Sequence, residues 1–123
     1  MPKNLLIAEQ DRQLTDHYLK NLSREGLHIQ IARDGQETID LIEKKQPDLL
    51  LMYLLLPKEG GFSVLRHIQE KKYRFPVVVL SYQTDDEFRV RAMELGATEY
   101  LMKGDLTIGT LRPVIEKYFD QML

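Results

Sequence analysis

Five short apolar runs, each followed by a stretch of helical period, predict an α/β fold with a parallel sheet between helices. Two further observations narrow this. The third run, residues 49–54, is apolar at every position apart from Tyr53, and the fourth, residues 76–80, is rich in valine. Continuous apolarity suits strands buried on both faces. The 123 residues suffice for one core, and 43% apolar with 29% charged residues fits a globular domain. A single domain over residues 1–123 is expected.

Each element has its own local reason. Residues 5–8 are apolar and of strand length. Leu14, Tyr18 and Leu22 then recur at helical spacing over residues 12–24, and Gly26 is expected to stop that helix. Residues 28–32 read as a second strand. Asp34 and Glu37 form a capping box for a helix that buries Ile39 and Ile42 and that Pro47 ends at Gln46. After the third strand, Pro57-Lys58-Glu59-Gly60-Gly61 is a turn cluster, and Phe62, Leu65 and Ile68 stripe a third helix. Thr84 with Glu87 makes a second capping box before a charge-rich helix that Gly96 ends. Residues 98–102 form a short fifth strand. Leu111, Val114, Ile115, Tyr118, Phe119 and Met122 mark the clearest amphipathic helix.

Composition excludes several functions. A net charge of −2 without a basic stripe argues against nucleic-acid binding. With no cysteine there is no disulfide, thiolate nucleophile or thiolate-held metal. The longest apolar stretch, residues 49–56, is too short to span a bilayer. The opening Met-Pro-Lys-Asn-Leu-Leu-Ile lacks the layout of a signal peptide, so a cytoplasmic location is expected. His17, His28 and His67 stand apart, at spacings that suit no metal site. In open α/β sheets ligands bind outside the carboxyl ends of the strands. Residues 9–11, 53–61, 81–85 and 103–105 are therefore the candidate site.

Several segments together resemble response-regulator receiver domains, the phospho-acceptor modules of two-component signalling. They are Leu5-Leu6-Ile7-Ala8-Glu9-Gln10-Asp11, Ala32-Arg33-Asp34-Gly35, residues 47–57, Gly60-Gly61, residues 76–81, and Gly96-Ala97-Thr98-Glu99-Tyr100-Leu101-Met102-Lys103. The resemblance covers essentially the whole chain and implies a flavodoxin-like, doubly wound (βα)5 fold with five parallel strands in the order 2-1-3-4-5. It places Tyr53 where the family has its phospho-acceptor aspartate, and Glu9, Gln10 and Asp11 where the family has its acidic pocket. Ser81, Tyr100 and Lys103 match the switch hydroxyl, the switch aromatic and the phosphate-binding lysine.

The departures point one way. A phenol cannot form an acyl phosphate, and an amide at Gln10 removes a carboxylate that the family uses for Mg²⁺. Mg²⁺ sheds water reluctantly, so its binding is expected to be lost or very weak, and no cofactor is expected. Gly60 stands where the family has an aspartate. Tyr82 replaces a small residue and Gly104 a proline, so an ordinary trans bond is expected before Gly104. Tyr53 and Tyr82 are expected to plug the emptied pocket, and Lys103 to pair with Glu9. Tyr53 reads as a core residue rather than a phosphotyrosine site. Arg89, Arg91, Glu94, Glu99, Arg112 and Lys117 suggest an interaction face of the fourth helix, fifth strand and fifth helix, suited to a homodimer.

These features predict a pseudo-receiver in phosphorelay-type signal transduction, not an enzyme. It would work by phosphorylation-independent contact with signalling proteins, without nucleic acid or membrane. Two alternatives are a residual phospho-acceptor using Glu9 or Asp11, and a sensor of small anions or nucleotides at the strand ends.

Overall fold

The computed structural model describes residues 3–102, 104 and 107–120, and for residues 108 and 120 the backbone alone. Its strands are β1 (Lys3–Ala8), β2 (Leu27–Ala32), β3 (Leu49–Tyr53), β4 (Val77–Ser81) and β5 (Glu99–Met102). They form one parallel sheet in the order β2-β1-β3-β4-β5, as expected. The helices are α1 (Arg12–Leu22), α2 (Gly35–Lys44), α3 (Gly61–Lys71), α4 (Asp86–Glu94) and α5 (Ile108–Asp120).

The sheet divides two cores. Leu49 and Leu51 pack with Leu5, Ile7, Val78 and Leu80 under α1 and α5, whose Tyr18, Leu22, Leu111, Ile115 and Phe119 are buried there. Leu50 and Met52 pack with Leu6, Val77 and Val79 under α2, α3 and α4, through Ile42, Val64, Leu65, Ile68 and Ala92. Side chains alternate across a strand, so only a run apolar at both parities can feed two cores.

Caps fix where the loops leave the sheet. Asp11 accepts from the N–H groups of Gln13 and Leu14 and so starts α1. Asp34 accepts from the N–H of Glu37 at 2.8 Å and starts α2. Other boundaries differ from expectation. α1 stops at Leu22, because Ser23 turns extended. Gly26, at φ 85°, makes the turn into β2 rather than ending the helix. α2 ends at Lys44, two residues before Gln46, where Lys45 becomes extended. The Thr84–Glu87 capping box does not form. Asp85 takes the cap position without a side-chain bond, so Glu87 falls one residue too early for the reciprocal contact.

The β3–α3 loop is held from outside by α2. Lys58 and Glu59 both adopt left-handed φ, at 45° and 49°. The N–H of Gly35 reaches the carbonyls of Pro57 and Lys58 at 3.0 and 2.9 Å. A Cβ on Gly35 would stand 1.4 Å from the carbonyl oxygen of Glu59, which is backbone and cannot swing aside. Gly60 has ordinary space, its nearest neighbour being the Leu56 carbonyl at 3.7 Å. Gly35→Ala is therefore expected to cost about 3 kcal/mol or more in urea unfolding, and Gly60→Ala less than about 1 kcal/mol. Equal costs would contradict this account of the loop.

Candidate functional site

The carboxyl ends of β1, β3, β4 and β5 bring the candidate residues to one edge of the sheet. Register sets their heights. Ala8 of β1 lies beside Met52 of β3, Tyr53 beside Leu80 of β4, and Ser81 beside Met102 of β5. Glu9 follows β1 directly and is buried, with 2% exposure. One of its carboxylate oxygens accepts from the N–H groups of Gln10 and Asp11, at 3.1 and 3.3 Å. Asp11 is committed to capping α1, and Gln10 is exposed.

Tyr53 ends β3, half-buried, and packs against the α2–α4 core. Burial raises its pKa above the usual phenol value, and the nearby Glu9 and Tyr82 add to the shift. Tyr18 on α1 is shifted the same way, first by burial and then by Glu9. Both phenols therefore stay neutral at physiological pH. Tyr82 meets Tyr53 edge-on, with centroids 6.1 Å apart and planes at 75°. It is not the sunken plug expected from sequence. It is 56% exposed, and its ring lies 3.9 Å from where a Cβ on Gly104 would be. Tyr82 thus forms an outer wall over Tyr53, because the β4–α4 loop carries it outward.

A three-part clamp lies behind that wall. Ser81 is fully buried, and its hydroxyl oxygen accepts from the N–H of Gln83 at 2.9 Å. The Tyr100 hydroxyl donates to the carbonyl of the same Gln83 at 3.1 Å. Ser81 and Tyr100 thus hold one residue of the β4–α4 loop, Gln83, through the two peptide groups that flank its Cα. Gln83 had no signal in the sequence, since it contributes only its main chain. Lys103, its pairing with Glu9 and the bond before Gly104 lie outside the described residues.

A family model, the response regulator receiver domain, matches residues 5–113. The chain belongs to that family. Solved structures agree in fold. The receiver domain of Francisella response regulator 1452 superposes with a TM-score of 0.88 at 21% identity, covering 98% of this chain and 99% of that one. The signal receiver domain of a putative Luxo repressor protein from Vibrio parahaemolyticus gives 0.89 at 21% identity, over 98% and 92%. The Mn²⁺-bound form of response regulator Rcp1 gives 0.82 at 25% identity, over 92% and 91%.

The charges expected to share one face of this receiver domain are spread over several. Arg91 leans over the Phe62 ring of α3 at 4.6 Å. Arg112 donates to the carbonyl of Asn21 in α1. Arg89 pairs with Asp86 on its own helix, and Lys117 of α5 with Glu99 of β5, both at 2.8 Å. Glu94 is exposed, and its carbonyl accepts from Gln69 of α3. Single-residue steps of 100° along α4 put Arg89 and Arg91 on different sides. His67 is not isolated, since its Nε2 meets Glu43 at 2.6 Å. His17 and His28 are exposed. Among the described residues, no three His, Cys, Asp or Glu side chains converge on a metal site, and no helix is long and apolar enough to cross a membrane.

Ser81→Ala removes the acceptor of the Gln83 N–H, and Tyr100→Phe removes the donor to its carbonyl. Each is expected to cost about 1 kcal/mol and to speed amide hydrogen exchange across residues 82–86. The pair is expected to depart from additivity, because both hold the same residue, Gln83. Unchanged exchange at Gln83 in Ser81→Ala would contradict the clamp.

Proposed function

We propose that this receiver domain signals by protein contact and does not accept a phosphoryl group. One observation carries the reading. The end of β3, the position that the family resemblance gives to the phospho-acceptor, presents a half-buried phenol beneath Tyr82. A phenol is neutral at physiological pH, and burial shifts this one further that way, so it is a poor nucleophile and supplies no carboxylate for acyl-phosphate chemistry.

The neighbouring donors give no substitute. Mg²⁺ favours anionic oxygens with near-octahedral freedom. Here the amide of Gln10 is uncharged, the Asp11 carboxylate caps α1, and the buried Glu9 carboxylate serves two backbone N–H groups. This donor set does not fit the family's Mg²⁺. The clamp supports the second half of the reading. Ser81 and Tyr100 already engage Gln83, so the β4–α4 loop is held in one arrangement without a phosphoryl group. A partner would then read that fixed surface.

Incubation with acetyl phosphate and Mg²⁺, followed by intact mass spectrometry, tests this. The mass is expected to stay unchanged. A stable gain of one phosphoryl group, mapped to Glu9 or Asp11, would replace this reading with a displaced phospho-acceptor.

A further inference from the structure

We propose that the cleft between the carboxyl ends of α3 and α4 docks a short acidic peptide segment bearing one large apolar side chain. This site lies at the amino edge of the sheet, opposite Tyr53, so its failure would leave the reading above intact.

The cleft encloses about 310 Å³. Leu65 and Ile68 of α3 floor it, and Tyr73, Phe75 and Leu95 form its sides. Gly96 keeps the α4 end open, since no atom lies within 4 Å of where its Cβ would stand. Such a volume is at the small end of ligand pockets and suits one large side chain better than a whole cofactor. The rings of Tyr73 and Phe75 stack, with centroids 6.3 Å apart and planes at 28°. Rigid aromatic walls around an apolar floor are the make-up of an interface hot spot.

Charge identifies the occupant. Lys72 and Arg74 line the cleft and are exposed. Arg66 and Lys71 are exposed on α3 as well, against a single acid there, Glu70. Glu43 of α2 reaches this end but is already bound by His67 and by the Tyr73 hydroxyl, the latter at 2.9 Å. Lys44 and Lys45, both exposed, follow it in the chain. Cations in the last turns of α2 and α3 also suit the helix dipoles. That accounts for Lys44 and Lys71 but not for Arg74, which lies beyond the helix in the cleft wall. A polyanionic nucleic acid fits less well, because the two cations in the lining, Lys72 and Arg74, flank one apolar hole instead of tracking a backbone, and Glu70 is exposed on the adjoining helix.

The test is an amide NMR titration of the ¹⁵N-labelled chain with the peptide acetyl-Glu-Glu-Asp-Phe-Asp-Glu-Glu-amide. Shifts are expected in residues 68–75 and 95–97. Replacing the peptide's Phe by Ser, or the protein's Lys72 and Arg74 by Glu (K72E/R74E), is expected to weaken binding by about 10-fold or more. Both protein positions are exposed, and unchanged shifts elsewhere would confirm an intact fold in K72E/R74E. Four results of the ligand titrations would overturn the proposal. They are no shifts at millimolar peptide, shifts on another surface, equal binding of the Ser peptide, or tighter binding of a ten-residue oligothymidylate. Concentration-dependent shifts of the same amides without peptide would assign the cleft to a second copy of the chain, and would overturn it too.

Discussion

β3 can sit at the centre of the sheet only because both of its faces are closed off, Leu49 and Leu51 by α1 and α5, Leu50 and Met52 by α2, α3 and α4. Full burial of such side chains is worth about 1.5–3 kcal/mol each, so neither helical layer can be given up. That two-sided closure forbids functional groups along the length of the strand. Chemistry is pushed to the one place where β3 leaves the core, its carboxyl end. The residue there is Tyr53, and the groups around it are set by register with β1 and β4.

The edge around Tyr53 is organised by committed hydrogen bonds. Glu9 is spent on the β1–α1 turn, Asp11 on the α1 cap, and Ser81 and Tyr100 on Gln83. Tyr82 then stands across Tyr53. Polar groups that are buried and satisfied in this way stiffen a site, since releasing any one of them leaves a partner stranded. One arrangement thus ties down both the β1–α1 turn and the β4–α4 loop. The same sheet presents, at its other edge, a cleft lined by Lys72 and Arg74, where Gln69 of α3 donates to the carbonyl of Glu94 in α4.

The fold was legible because apolar continuity and capping residues are local signals. Residues 49–53 declared a two-faced strand, and Asp34 declared a helix start that holds. The start of α4 was misread for the opposite reason. Thr84, Asp85 and Glu87 all suit a cap by type, and the backbone path that chooses among them is set by tertiary packing. At the site, the positions of Glu9, Tyr53 and Ser81 followed from strand ends alone. Tyr82 did not, because its exposure depends on the course of the β4–α4 loop. Gln83 left no trace, since its part is played by its main chain. Of the six charges expected on one face, Arg91 turns onto Phe62 and Arg112 onto α1, contacts that residue type alone does not announce.

On the proposed reading, the residues at 10 and 53 close the phosphoryl site while Ser81 and Tyr100 behind it keep their hold on Gln83. Amide NMR spectra of the natural chain and of the Gln10→Asp/Tyr53→Asp variant, each with beryllofluoride and Mg²⁺, test it most directly. The natural chain is expected to show no change at Gln83 and Tyr100, and the double variant to show shifts at both. Equal shifts at Gln83 and Tyr100 in the natural chain would contradict the claim.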